Sequence, residues 1–210
     1  DDQDGIAGAR SFVARRAYQE LDYRKAIDIC EKLLESGIES EDVYTILYES
    51  HFQLGNTEKG MEALEKVKEL SPDSVKIREK LADFYYDKGF YKKAVDEFEF
   101  LIKEKPKREQ FHEKLANTYY NLKNYEDAAT HYKVVLDLNP DNIDSYIGLG
   151  KVYVESEMYE DAVKLYRIAA KLQPNNLEPQ IEIAKVYSME SQFDKAIMEF
   201  REILQKDPEN

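Results

Sequence analysis

The sequence predicts an all-α fold built from tandem helix pairs, and two regularities carry this prediction. First, five of the six prolines stand 34 residues apart, at Pro72, Pro106, Pro140, Pro174 and Pro208. Second, a set of aromatic, leucine and small residues repeats with the same period. It is clearest at Tyr146, Leu149, Gly150, Tyr153, Ala162 and Tyr166. A period of this length is typical of solenoids, in which each repeat supplies one supersecondary unit.

The repeats fill nearly the whole chain. Residues 1–6, with the sequence DDQDGI, are acidic and contain Gly5, so we expect a lead-in or an added remnant there. A single solenoid domain is then expected over 7–210, with repeats at 7–40, 41–74, 75–108, 109–142, 143–176 and 177–210. Each repeat is expected to form a first helix, a short turn, a second helix and a turn with proline. Proline marks these boundaries because it lacks an N–H and fixes φ.

The spacing within a repeat places one apolar stripe on each helix. Tyr146, Leu149 and Tyr153 are three or four residues apart and therefore share a helix face. Small residues stand beside this leucine position, at Ala14, Ala82, Ala116, Gly150 and Ala184. A small position also recurs in the second helix, at Ala26, Ala94, Ala128, Ala162 and Ala196. Small residues on both helices allow close approach of the pair.

The second repeat departs from this pattern. Its two small positions hold Tyr48 and Gly60. We expect these departures to compensate each other, with the methyl group missing at Gly60 making room for the Tyr48 ring.

Composition limits the classes of partner. The formal net charge of −13 disfavours nucleic acid and anionic membrane surfaces, whose phosphates such a chain repels. No apolar stretch approaches the roughly 18 residues of a membrane span, so no membrane insertion is expected. Cys30 is the one cysteine and cannot form an intramolecular disulfide, so cysteine content does not identify the cellular compartment. We slightly favour the cytoplasm.

Residue patterns of an enzyme or a metal site do not occur in the sequence. No two of His51, His112 and His131 are three or four residues apart, and no HExxH or CxxC pattern is present. The sequence also contains no phosphate-binding glycine loop. We therefore expect no catalytic site, no metal and no cofactor.

The chain resembles the tetratricopeptide repeat family over 7–210. The resemblance rests on the periodic positions of Tyr146, Leu149, Gly150, Tyr153, Ala162, Tyr166 and Pro174. It implies a right-handed superhelical solenoid of antiparallel helix pairs, whose concave face is lined by the first helices and binds peptides or protein segments. One subclass grips a terminal carboxylate through Lys, Asn and Arg. At the corresponding positions this chain has Ser11, Arg15, Ile46, Lys76 and Lys80, which do not match that set.

A second aromatic series predicts the groove of such a solenoid. It directly follows the recurring tyrosine of the first helix, at Tyr18, Phe52, Tyr86 and Tyr120, and then changes to Val154 and Ser188. One residue along a helix is a rotation of about 100°, which turns these rings from the core toward the concave face. Packing against a neighbouring first helix is the alternative.

Polar residues complete the predicted groove. The candidate peptide-binding residues are Tyr18, Phe52, Lys80, Tyr86, Lys114, Asn117, Tyr120, Lys151 and Lys185. Acidic residues surround its middle, at Glu79, Asp83, Asp87 and Glu113. The alternative for all these charges is an ordinary solvated helix face.

The function that the resemblance implies is a non-enzymatic adaptor holding a protein segment in this groove. Two alternatives stay open. One is a self-assembling scaffold, since a terminal repeat without a capping helix would expose Tyr187, Ile197 and Phe200. Such a chain would form a homo-oligomer through its ends. The other is the interaction domain of a larger multidomain protein.

Overall fold

The computed structural model describes the backbone of residues 2–206 and the side chains of residues 11–205. Over this range it contains twelve helices and no strand. The first helices of the pairs are α1 Asp2–Gln19, α3 Glu41–Gln53, α5 Val75–Asp87, α7 Glu109–Asn121, α9 Ile143–Glu155 and α11 Glu178–Met189. The second helices are α2 Tyr23–Glu35, α4 Thr57–Leu70, α6 Tyr91–Glu104, α8 Tyr125–Leu138, α10 Tyr159–Leu172 and α12 Phe193–Lys206. The all-α fold class is confirmed.

The helix boundaries follow the period of the sequence, and α1 begins earlier than the first repeat was expected to begin. Each second helix begins 34 residues after the one before it, from Tyr23 to Phe193. Helix α1 already begins at Asp2, so the segment 1–6, expected as a lead-in, is helical from residue 2 onward. The repeat boundaries themselves stay a prediction.

The turn within each helix pair contains one residue in the left-handed conformation. Two of these residues are Gly55 and Gly89, both with φ of 74°, where the sequence placed a helix end. The same position in the other pairs holds Leu21, Lys123, Glu157 and Ser191, with φ between 59° and 63°. Main-chain hydrogen bonds hold the turn, since the Gly89 N–H donates to Tyr86 and the Phe90 N–H donates to Tyr85. The turn therefore forms even where no glycine marks it.

The chain divides into two compact units, Asp1–Phe84 and Tyr85–Asn210. In the first unit α1 packs on α2, α2 on α3 and α3 on α4. In the second unit each helix from α6 to α12 packs on the next. No helix among the described residues is long and apolar enough to cross a membrane.

The recurring small positions lie at the centre of this packing. Ala14, Ala82, Ala116 and Ala184 are completely buried on the first helices. One turn after the small position of each second helix comes a larger buried residue, and the first five repeats hold Cys30, Leu64, Phe98, Tyr132 and Tyr166 there. Burial raises the pKa of the Cys30 thiol to about 12, so this cysteine acts as a small apolar side chain and not as a nucleophile.

The expected compensation between Tyr48 and Gly60 is wrong. A Cβ atom on Gly60 would lie 2.4 Å from both Cδ1 and Cε1 of Phe52, and no atom of Tyr48 is among its nearest neighbours. Phe52 lies one helical turn beyond Tyr48 on α3, and its ring is the one turned toward the backbone of α4. The ring also stacks on Phe84, with 6.5 Å between the centroids. Gly60 therefore makes room for Phe52.

We expect the substitution Gly60→Ala to lower the free energy of unfolding by about 1 kcal/mol. Overpacking against Phe52 costs about 1–3 kcal/mol, while alanine regains about 1 kcal/mol of helix propensity. Urea denaturation measures the difference. In a Phe52→Leu background the same substitution should cost less, and an equal cost in both backgrounds would contradict the assigned contact.

Candidate functional site

The four rings of the predicted groove are half-buried and pack on other aromatic residues. Three of them contact the aromatic residue that opens the next helix, at centroid distances of 5.5 Å for Tyr18–Tyr23, 5.9 Å for Tyr86–Tyr91 and 5.8 Å for Tyr120–Tyr125. Phe52 has no such partner because residue 57 is threonine, and it stacks on Phe84. Packing thus fixes these rings and leaves part of each exposed.

A pocket in the second unit brings three of the predicted groove residues together. Asn117, Tyr120 and Lys151 line a cavity of about 250 Å³. The other lining residues are Tyr132, Asp144, Ile147, Gly148 and Glu178. The polar groups are thus gathered around the buried Ile147 on α9.

Hydrogen bonds orient the polar groups of this pocket. The Tyr132 hydroxyl donates to Asn117 Oδ1 at 2.5 Å, and Lys151 Nζ lies 3.1 Å from Glu178 Oε1. Burial raises the pKa of Tyr132, and burial followed by the Glu155 carboxylate raises that of Tyr120. Both phenols therefore keep their protons at neutral pH and can donate hydrogen bonds.

Gly148 shapes the wall of the pocket. A Cβ atom there would lie 2.4 Å from Cζ and 2.6 Å from Oη of Tyr132. Tyr132 is only 2% exposed, and its ring extends across the backbone of α9 at this point. A glycine at this position therefore lets the Tyr132 hydroxyl reach Asn117.

The other predicted groove cations do not line this pocket. Lys80 is exposed in the first unit, with Nζ 5.8 Å from the centroid of the Tyr48 ring. Lys114 is half-buried on α7. Lys185 is exposed on α11 and pairs with Glu182 at 2.8 Å.

A contact between two histidines was not foreseen from the sequence. Nδ1 of His112 lies 3.0 Å from Nδ1 of His131, and Nε2 of His112 lies 3.0 Å from the Pro106 carbonyl oxygen. A carbonyl only accepts, so Nε2 of His112 carries a proton, and the contact between the two rings needs a proton on one of the two Nδ1 atoms. The two residues are 19 apart on α7 and α8, where no helical spacing connects them. Among the described residues no cluster of three metal-binding side chains occurs.

This pair predicts a loss of stability in mild acid. Burial first, and His112 second, lower the pKa of His131, while Asp127 and Glu99 oppose them. Below about pH 6.5 the unfolded chain takes up a proton that the folded protein binds only at lower pH, so stability falls as pH falls. Urea denaturation of wild type and His131→Gln at pH 7.5 and 5.5 should show a larger loss in wild type. Equal losses would contradict this assignment.

The family comparisons match three stretches of the chain. A model described as TPR repeat matches 116–157, and one described as tetratricopeptide repeat matches 143–176. A model described as anaphase-promoting complex, cyclosome, subunit 3 matches 19–101. No curated protein sequence matches the chain significantly.

Solved structures share this fold at low sequence identity. A crystal structure of MamA has a TM-score of 0.72 at 20% identity, over 80% of this chain and 92% of that one. MamA 41-end from Desulfovibrio magneticus RS-1 has a TM-score of 0.71 at 16% identity, over 80% and 95%. YrrB, described as a TPR protein with an unusual peptide-binding site, has a TM-score of 0.66 at 16% identity, over 86% and 93%. Residues 116–176 match tetratricopeptide repeat models, and the helix pairs repeat with the same period of 34 residues over the described part of the chain.

Proposed function

We propose that this chain is a non-enzymatic interaction module that binds a peptide or protein segment on its first helices. The observation that carries this proposal is the pocket of Asn117, Tyr120 and Lys151 in the second unit. Proteins of the tetratricopeptide repeat family generally act as interaction modules, which agrees with this assignment.

The chemistry of the pocket suits a peptide. An extended chain offers N–H and C=O groups that Asn117 and Tyr120 can meet with amide and phenol hydrogen bonds. The Tyr120 ring is already held against Tyr125, so using it as an anchor costs little conformational entropy. The cavity volume of about 250 Å³ is suited to one ligand side chain above Ile147. The Lys151–Glu178 pair can open to meet a charge of either sign.

The remaining predicted residues are proposed as weaker contacts. On the second unit these are Tyr86, Lys114 and Lys185, and on the first unit Tyr18, Phe52 and Lys80. Hot spots of binding concentrate in a few desolvated aromatic and charged residues. We therefore expect Tyr120 to outweigh the exposed lysines.

A peptide-display selection against the wild-type protein tests this proposal. The tightest peptide is then titrated by fluorescence anisotropy against Tyr120→Ala, Lys151→Ala and a control, Lys164→Ala. Lys164 is an exposed lysine of α10 that pairs with Asp161 outside the pocket. Tyr120→Ala should weaken binding about tenfold or more, and Lys164→Ala should leave it unchanged. If Tyr120→Ala, shown by circular dichroism to be folded, binds as wild type does, the pocket is not the site.

A second candidate function is self-association, and two exposed side chains favour it. Phe200 is 41% exposed, although the same position is at most 2% exposed in each of the other repeats. Val13 is 48% exposed, although Leu47, Leu81, Leu115, Leu149 and Ile183 at its position are at most 5% exposed. A second copy of the chain could cover both positions.

Sedimentation equilibrium over a wide concentration range tests the second candidate. The mass of wild type should rise with concentration, and the mass of Phe200→Asp should stay that of a monomer. Wild type that remains monomeric throughout would exclude self-association through these residues.

A further inference from the structure

The second repeat has a histidine where four of the other repeats have tyrosine. The recurring tyrosine of the first helix is present at Tyr85, Tyr119, Tyr153 and Tyr187. His51 stands at this position on α3. Its ring is smaller than a phenol ring and carries no hydroxyl group. Comparing His51 with the tyrosines of the other repeats therefore shows which space and which polar contact the histidine leaves unfilled.

In the second unit this tyrosine contacts a side chain 20 residues earlier, on the preceding second helix. The Tyr119 hydroxyl donates to Glu99 Oε1 at 2.7 Å, and Arg167 Nη2 donates to the Tyr187 hydroxyl at 3.2 Å. Lys133 Nζ lies 5.8 Å from the centroid of the Tyr153 ring. The tyrosine thus joins its own first helix to the preceding second helix through one side-chain contact.

At His51 the corresponding space is a pocket. A cavity of about 510 Å³ opens between α2, α3 and α4, and His51 lines it. The residue 20 positions earlier is Glu31, which also lines this pocket and is the counterpart of Glu99. The His51 side chain is only 6% exposed, and among the described residues its buried Nδ1 atom has no hydrogen-bond partner.

The lining of this pocket suits an uncharged aromatic ring with a polar edge. Leu34, Leu47 and Ala63 supply apolar surface for a ring. Glu31 can accept a hydrogen bond from a phenol hydroxyl, as Glu99 does from Tyr119. Burial, and then Lys59, lower the pKa of His51, so the imidazole is neutral at pH 7 and adds no charge to the pocket.

The rim of the pocket bears charges of both signs. Lys59 and Lys66 come from α4, and the carboxylates are Glu31 and Glu62. An apolar centre with a polar rim is the anatomy of a protein interface around one buried anchor residue. The two lysines and the two carboxylates balance, so the lining offers no net positive charge to a phosphorylated or otherwise anionic ring.

We propose that this pocket binds the phenol ring of a tyrosine side chain presented by a partner protein, with the ring on Leu34, Leu47 and Ala63 and the hydroxyl donating to Glu31. The site lies on α2, α3 and α4 of the first unit and shares no lining residue with the pocket of Asn117 and Tyr120. A test of this pocket therefore gives a result that does not depend on whether the pocket of Asn117 and Tyr120 binds a peptide.

NMR titration of the isotope-labelled protein with three small probes tests the chemistry. N-acetyltyrosinamide should shift amide resonances around His51 and bind at least about fivefold more tightly than N-acetylphenylalaninamide, which lacks the hydroxyl. The third probe, p-cresol, is the bare side chain and identifies the source of the ring. Binding of p-cresol without N-acetyltyrosinamide would assign the pocket to free phenols and overturn the proposal. Absence of binding by N-acetyltyrosinamide would overturn it as well.

Two variants and a control locate the site. His51→Tyr restores the tyrosine of the other repeats, fills the pocket and should abolish binding of N-acetyltyrosinamide. Glu31→Gln should remove most of the preference for tyrosine over phenylalanine. Asp28→Asn, on the same helix at an exposed residue that pairs with Lys32, should bind as wild type does. Unchanged binding by a folded His51→Tyr protein would show that the ring binds elsewhere and refute the proposal.

Discussion

Replacing Phe98 with alanine should lower the free energy of unfolding by about 3–5 kcal/mol, the usual cost of removing a buried phenylalanine ring from a core. Phe98 lies on α6 with no exposed surface. The cost combines the lost transfer free energy of the ring with the cavity that the surrounding helices cannot fully close. Urea denaturation followed by circular dichroism measures it.

Phe200 provides the matched control, because it occupies the same position of its repeat with 41% of its surface exposed. Phe200→Ala should cost less than half as much as Phe98→Ala, since less apolar surface leaves water on folding there. Equal losses would mean that Phe200 is covered in solution. A loss at Phe200 that grows with protein concentration would identify another copy of the chain as the cover.

The second large effect is expected at Gly150, where alanine should cost about 2 kcal/mol, because overpacking at the upper end of about 1–3 kcal/mol exceeds the gain of about 1 kcal/mol in helix propensity. A Cβ atom there would lie 2.4 Å from Cε1 and 2.8 Å from Cζ of Tyr166. Tyr166 is completely buried, so the ring cannot swing away without moving the helices around it. Thermal and urea denaturation of Gly150→Ala measure this cost.

A double variant separates the contact with Tyr166 from any general intolerance of α9. In a Tyr166→Leu background, Gly150→Ala should cost much less, because the flexible leucine leaves room for a methyl group. The small position of the first helix, which Gly150 occupies here, holds alanine in other repeats, at Ala14, Ala82, Ala116 and Ala184. A methyl group is therefore compatible with the packing of the helix pair itself. If Gly150→Ala costs the same in both backgrounds, the Tyr166 ring is not what requires glycine.

Local regularities of the sequence predicted the backbone well. Helix pairs with a constant period follow from the prolines, the small residues and the leucine positions. The left-handed turns could be foreseen only at Gly55 and Gly89. At Leu21, Lys123, Glu157 and Ser191 the main-chain hydrogen bonds impose the same conformation without a residue that favours it.

Side-chain contacts between helices were much harder to foresee. The pocket gathers Asn117, Tyr120 and Lys151, which helical geometry had placed on the same side of the array. The pairing of His112 with His131 depends on the directions of two side chains on different helices, which a one-helix pattern does not contain. The same reason explains why the neighbour of Gly60 was assigned to Tyr48, although the ring that approaches it belongs to Phe52.

The polar contact between residues 20 apart has a consequence for how such chains are recombined. Tyr119 is matched to Glu99 and Tyr187 to Arg167, and each partner belongs to the preceding repeat. A duplication or graft cut at the prolines would separate these partners and join a tyrosine to a foreign side chain. A segment cut in the turn within each helix pair, from one second helix through the next first helix, keeps both partners together. That offset segment is the unit we expect to be exchanged intact between arrays.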